Sequence, residues 1–322
     1  MIIDSISSSD VRLATRLDSS YHLSPGVKAL ARVSGVSVAG GDVVPLGSIA
    51  RIWAPKRFKR EYAVGSEEAA QYLRPYDVFD YLPAPADLLS VKHNEDIDQL
   101  RLSEDMLILT CSGRNLGPAV AVDQYLREFV LSHDAIRITI DEAELRYYVL
   151  AFINSQAGQA LVRRDMSGSV IDHVTVKDAN LLPVPMIESN LRRQITSLMT
   201  KAIDRRAESR LALKGLIEAA ASHLPTPRRS KPVMGWSVNR SSLGGRLDAA
   251  PYFPYAADCA AVLREAGGLP IEEVADVHKP ASRYKAYHVG VEFGRPFLAG
   301  GQLLQNKIDE VQVPWQTVYS RA

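Results

Sequence analysis

Cysteine is almost absent from this chain: two residues in 322, Cys111 and Cys259. So few thiols exclude a disulfide framework and leave no zinc-ligand set, and both read as buried, reduced cysteines. Nor does any stretch approach the roughly 18 consecutive apolar residues of a membrane helix. The opening segment, Met1-Ile2-Ile3-Asp4-Ser5-Ile6-Ser7-Ser8-Ser9-Asp10, lacks the basic start and apolar run of a secretion signal. The chain is therefore expected in the cytoplasm, with no membrane partner. Net charge is scarce as well: 38 Lys and Arg against 37 Asp and Glu give +1, whereas nucleic-acid-binding domains are often strongly basic. Catalytic motifs are missing too. There is no Gly-x-Ser-x-Gly elbow, no Gly-x-x-x-x-Gly-Lys-Ser/Thr phosphate loop and no Gly-x-Gly-x-x-Gly. His93, His133 and His173 are scattered without metal-ligand spacing. These absences point to a protein that binds rather than one that reacts.

What is present is a beginning used twice. Arg16-Leu17-Asp18-Ser19-Ser20-Tyr21 recurs as Arg246-Leu247-Asp248-Ala249-Ala250-Pro251-Tyr252. Further on, Arg57-Phe58-Lys59 and Tyr72-Leu73 find counterparts in Arg283-Tyr284-Lys285 and Phe297-Leu298. The separation shortens by a few residues between the first match and the last, as one loop deletion would produce. So long a period means two copies of a domain, not a solenoid. The second copy ends soon after Phe297-Leu298, before any counterpart of the strands and glycine loops of the first. It is expected to be an incomplete domain, completed by another chain or cut short.

Several elements can be placed. Asp105-Met106-Leu107-Ile108-Leu109-Thr110 is a compact apolar run, read as a buried strand, with Ala119-Val120-Ala121-Val122 as its return. Ala135-Ile136-Arg137-Ile138-Thr139-Ile140 alternates in the period of a half-buried strand. Glu144 to Ser155 carries helical spacing, and Gln156 to Arg164 continues it after a turn. Pro183 and Pro185 favour an extended exit. From Glu188 to His223 the chain holds no proline, and Leu191, Ile195, Leu198, Ala202, Arg205, Ser209, Ala212, Leu216 and Ala219 step in heptads. This predicts one long helix leaving the domain, followed by the proline-rich linker Leu224 to Pro232.

These residues resemble the specificity (S) subunits of Type I restriction–modification enzymes. The likeness runs through Arg16-Leu17-Asp18, Phe58 and Leu73-Arg74, then Glu104 to Leu109 with Ser112-Gly113-Arg114-Asn115-Leu116-Gly117. It continues through Tyr147-Tyr148-Val149-Leu150, Ile153-Asn154-Ser155, Ser167-Gly168-Ser169 with His173-Val174, and Leu182-Pro183-Val184-Pro185 before the long helix. The resemblance implies an α+β (mixed α/β) fold. Residues 1–187 would be a target recognition domain, 188–224 a coiled-coil-type spacer helix, 225–245 a linker and 246–322 a partial second recognition domain. It also implies a protein without an active site that reads half of a split DNA target. Its partners would be double-stranded DNA, methyltransferase (M) subunits, restriction (R) subunits and a second S chain or S fragment. The chain itself would need no cofactor; S-adenosylmethionine, ATP and Mg would belong to the partner subunits. In keeping with this, the Asp-Pro-Pro-Tyr and Asn-Pro-Pro-Phe motifs of adenine methyltransferases are absent.

The candidate DNA-binding residues follow from residue chemistry. Lys56, Arg57, Lys59 and Arg60 surround the ring of Phe58, a pattern repeated by Arg283 and Lys285; Arg163 and Arg164 form a further basic pair. Lys and Arg supply affinity through phosphates, and base edges supply sequence information. The glycines beside Ser112 and Ser169 would let backbone approach DNA, and Arg114 and Asn115 are the types that pair bidentately with guanine and adenine. Against this stand plainer readings: solvated surface charge for the basic clusters, and tight turns for the glycine loops. Two alternatives for the whole chain remain. One is a protein-docking or structural module that uses the long helix and never touches DNA. The other is an enzyme with Asp18 and Asp248 as acids, although their matched positions favour a structural role.

Overall fold

The computed structural model describes residues 7–8, 11–12, 19–22, 24–38, 41–64, 67–85, 87–112, 116–164, 173–225, 235–243, 249, 252–278, 289, 294–296 and 315–316. Contacts divide the chain into two units, which part within one helix between Leu211 and Ala212.

The first unit runs through helix α1 (Pro25–Val38), strands β1 (Asp42–Pro45), β2 (Arg51–Trp53), β3 (Ala69–Leu73), β4 (Leu88–Ser90), β5 (Met106–Thr110), β6 (Ala119–Ala121), β7 (Val130–Leu131) and β8 (Ala135–Thr139). Helices α2 (Ala143–Ile153), α3 (Gln156–Val162) and α4 (Val176–Asn180) follow, then β9 (Pro183–Met186) and the long helix α5 (Ser189–Ser222). The class is α+β. Four antiparallel strands in the order β2-β8-β5-β6 form the main sheet. A second sheet, β4-β3-β7, pairs β3 antiparallel to β4 and parallel to β7. β1 and β9 pair antiparallel, so the prolines of the predicted extended exit do lie in extended chain.

Alternation along the main sheet builds two cores. Leu107 and Leu109, Ala119 and Ala121, and Ile136 and Ile138 face one core, shared with Val149, Ile153, Leu161 and Val162 of α2 and α3. Ile108, Val120 and Ala135 face the other, where Leu73, Leu126, Phe129 and Leu131 lie. β8 is therefore buried on both faces, not half-buried as its alternation suggested. The residue that created the impression of a polar face is Arg137. It has no exposed surface, and its guanidinium donates to the carbonyls of Ser132 (2.9 Å), Ala135 (2.6 Å) and Leu131 (2.7 Å). Buried carbonyls of the β7–β8 turn need donors, and one arginine reaches three of them.

Ser155 caps α3, its side chain accepting from the Gly158 N–H at 3.0 Å. Thr175 and Asp178 form a capping box on α4. α5 is unbroken, as its heptad stepping predicts, but its first half does not leave the domain. Ile195, Met199 and buried Ile203 pack on the first core. Thr196 donates to the Glu144 carbonyl at 2.8 Å, and Arg206 and Arg210 reach the buried carboxylate of Asp123. The buried stripe lies one position over from the predicted one; Leu191 and Leu198 remain 48% and 68% exposed. A purely apolar template rejects Arg206 and Arg210 as inward positions, yet both find partners there.

In the second unit, the described residues include α6 (Pro254–Glu265) and a two-residue antiparallel pair, Arg295–Pro296 with Trp315–Gln316. Trp236 and Phe253 meet edge to face, with ring centroids 5.6 Å apart. The repeated segments Arg16–Asp18, Arg246–Asp248 and Phe297–Leu298 lie outside the described residues.

Candidate nucleic-acid interface

The basic loop begins where β2 ends. Pro55 is buried and Phe58 packs against the small core of Tyr72, Leu89 and Val130. With its proline and ring turned inward, the loop carries Lys56, Arg57 and Lys59 outward, all exposed, with Arg60 half-buried. Arg57 donates from Nη2 to Asp134 Oδ1 at 2.9 Å. Lys59 Nζ stands 2.6 Å from Glu61 Oε1. Each charge steadies the other: the Glu61 carboxyl is held below the usual range by Lys59, and the Lys59 ammonium above its own. Arg60 donates to the Tyr72 hydroxyl, and its guanidinium lies 5.4 Å from the centroid of that ring.

Asp134 belongs to the β7–β8 turn, which ties this loop to the end of β5. The Cys111 thiol donates to the Asp134 carbonyl at 3.3 Å. Burial, reinforced by the Asp134 charge, pushes that thiol up to about 11. Ser112 bridges His173, and its carbonyl accepts from the Tyr76 hydroxyl at 3.4 Å. His133, next in the turn, stands 3.4 Å from Asp134 Oδ1, and burial lowers its pKa against the opposing pull of that carboxylate. Beneath them, burial pulls the Arg137 guanidinium down to about 10. Around the Asp134 turn and the end of β5 thus gather Arg57, Arg60, Ser112, Tyr76, His133 and His173.

The other predicted basic residues lie apart from this group. Arg163 donates from Nε to the Leu116 carbonyl at 3.0 Å, and Gln159 donates to the Gly117 carbonyl at 2.7 Å. Together they brace the returning leg of the loop after Ser112, where Gly117 holds φ +112°, a conformation that suits glycine. Arg164 lies against α1, where a methyl group at Gly26 would meet its Cβ at 2.6 Å. Arg114, Asn115, Ser169, Arg283 and Lys285 lie outside the described residues.

Sequence reasoning does not assign Asp134, Tyr72 or Tyr76 to the site, Tyr72 entering only as a match within the repeat, and it sets His133 aside as scattered. No local signal marks them: Asp134 meets Arg57 across 77 residues of chain. Among the described residues no group of three or more His, Cys, Asp or Glu could hold a metal ion, and no helix is long and apolar enough to cross a membrane.

No protein-family model and no curated protein matches this chain. Solved structures do. One comes from a study of complex assembly and conformational transition of the type I R-M system: 12% identity, 66% of this chain and 53% of that one, TM-score 0.36. Another is the HsdS subunit from Thermoanaerobacter tengcongensis, at 13% identity, 65% and 49% coverage and TM-score 0.34. A third is the Type I restriction–modification S subunit from M. genitalium, at 16% identity, 66% and 54% coverage and TM-score 0.33. The chain spans about half the length of these structures. The neighbours include the S subunits that the sequence motifs resemble.

Proposed function

We propose that this chain is a sequence-specific DNA-recognition subunit, one that directs the methyltransferase and restriction subunits of a Type I restriction–modification complex to a split target. The observation that carries the reading is the exposed row of Lys56, Arg57 and Lys59, in which Arg57 meets the Asp134 turn that also holds Cys111, the neighbour of Ser112. Lysine and arginine on a fixed loop suit phosphate contact, while the adjoining Ser112 loop is where base edges would be read. In this reading Arg163 supports that loop rather than touching DNA. Catalysis, S-adenosylmethionine, ATP and Mg belong to the partner subunits, and a second S chain or S fragment supplies the other half-site.

The test is a binding titration of the full chain against random duplex DNA at several salt concentrations. Phosphate contacts require log K to fall linearly with log salt, by about 0.9 per phosphate neutralised. Absence of binding at low salt would overturn the reading. Methylation mapping in cells that express the chain with its methyltransferase subunit would then reveal whether the target is split.

A second reading, a docking module without DNA contact, is favoured by Leu198, Leu216 and Ile217, which stand 68%, 67% and 52% exposed on α5. It predicts binding to protein and no salt-dependent binding to DNA, so the same titration separates the two.

A further inference from the structure

Two cations of the proposed interface are already engaged. Arg57 pairs with Asp134 and Lys59 with Glu61, and both pairs lie in the open, with side-chain exposures of 75% and 36%, and 88% and 46%. Exposed ion pairs add little to stability, so holding the fold together does not account for these carboxylates. Glu61 makes the point clearly. Its structural work is done by its backbone, which exchanges hydrogen bonds with the buried Asn94 at 2.9 and 2.7 Å, while its carboxylate turns to Lys59. Asp134 likewise secures its turn through its main chain, accepting from Cys111 and donating to Ser132 Oγ at 3.2 Å.

We infer that Asp134 and Glu61 are affinity gates, carboxylates that occupy the cations until a phosphate displaces them. The inference rests on the DNA-recognition reading. On DNA without the target sequence, phosphate contacts are the main favourable interaction. Each contact by Arg57 or Lys59 must then break an existing ion pair and leave a carboxylate close to the phosphate, where like charges repel. On the target, base-edge contacts offset that penalty. The two acids therefore weaken binding to every sequence by the same factor: the ratio between target and other DNA is unchanged, but binding that rests on phosphate contacts alone is held down. In a chain whose net charge is only +1, acid beside base at the interface keeps phosphate-driven affinity low.

The experiment compares the full-length chain with Asp134→Asn, Glu61→Gln and the double variant, each titrated with fluorescent random duplex DNA across a salt series. The substitutions keep the shape of exposed side chains, so the fold is retained. The double variant is expected to bind random duplex roughly tenfold more tightly, with a log–log salt slope steeper by about 1–2, since two cations are released for phosphate. Equal or weaker binding by the variants, while the wild-type chain itself binds in a salt-dependent way, overturns the gate and leaves DNA recognition standing. If neither wild type nor variants bind random duplex at low salt, and Arg57→Glu changes nothing, DNA recognition fails and the gate fails with it.

Discussion

Arg210 of α5 donates from Nη1 to Asp123 Oδ2 at 2.8 Å, and both side chains are sealed from solvent. One turn earlier Arg206 reaches the same oxygen at 3.3 Å, and Asp123 Oδ1 accepts from the Leu126 N–H at 2.9 Å. The remaining Arg210 donors meet the carbonyls of Tyr81 and Asp80, each at 2.8 Å. Burial lowers the Arg210 pKa and Asp123 opposes that shift. The long helix is thus riveted to its domain at a point that hydrophobic patterning alone assigns to the outside.

A buried ion pair is weak evidence of stability as a pair, but removing one partner leaves an uncompensated charge, at a cost of about 3–5 kcal/mol. Asp123→Ala and Arg210→Ala are each expected to destabilise the domain by about that amount, and the double variant by much less than their sum. Urea unfolding of the three variants measures this. Destabilisation below about 1 kcal/mol would show that the rivet holds nothing.

Arg137 predicts a second large effect. Replacing it with Met keeps the apolar stem and leaves the carbonyls of Leu131, Ser132 and Ala135 without their donor. An unsatisfied buried group costs about 1–3 kcal/mol, partly offset because a buried cation is removed. A net destabilisation of about 2–4 kcal/mol in denaturant unfolding is expected; a variant as stable as wild type would refute it.

These two arginines also mark where the sequence is legible and where it is not. β5 and β6 can be read because Leu107-Ile108-Leu109 and Ala119-Val120-Ala121 are apolar at every position, as strands buried on both faces must be. α2 and α3 can be read from their spacing, and α3 also starts at a Ser155 cap. α1 is hidden: Pro25 suits a first helical position, but Gly26, Gly35 and the valines at 27, 33, 36 and 38 lower the propensity of a helix that packing nevertheless holds. Arg137, Arg206 and Arg210 look like surface residues until their acceptors are known, and those acceptors are set by tertiary contact. The candidate site divides in the same way. Its basic loop is visible as a local cluster, whereas Asp134 and Tyr72 join it only through folding.

His133 gives a pH prediction. Its side chain is 9% exposed, and burial sets its folded pKa below the ordinary value near 6.5. The unfolded chain therefore takes up the proton first. Stability is complete above about pH 6.5 and declines as pH falls below it toward the folded value. The midpoint of urea unfolding should drop between about pH 7 and 5 more steeply in wild type than in His133→Asn. Equal slopes would exclude His133 as the source.

Charge reversal at Arg57 and Lys59 should weaken binding to all DNA sequences and flatten the salt slope by about 1 for each phosphate no longer neutralised. Replacing Arg114 or Asn115 is expected to change sequence preference instead, by about 1–3 kcal/mol per base contact. Binding of a randomised duplex library, read by sequencing, distinguishes the two. Library profiles and affinities that do not move in any of the four variants would remove this loop from the interface.

The exposed side of α5 leads to the last prediction. Leu191, Leu198 and Leu216 stand between 48% and 68% exposed on one side of the helix, apolar side chains left to water. The arginine rivet, about a quarter-turn round the helix, holds Leu191 and Leu198 in a constant orientation to the domain. Two copies pairing these stripes antiparallel would cover them and carry identical recognition domains to opposite ends. A twofold protein reads a twofold site, so such a dimer would recognise an inverted repeat rather than an asymmetric target. The 34 residues of α5 make a rod of roughly 50 Å, enough to separate half-sites centred about one DNA turn, or roughly 35 Å, apart. Light scattering at micromolar concentration is expected to give the mass of a dimer, and Leu198→Glu with Leu216→Glu to give that of a monomer whose melting temperature is retained. A wild-type chain that stays monomeric sinks the pairing and assigns the stripe to a different partner.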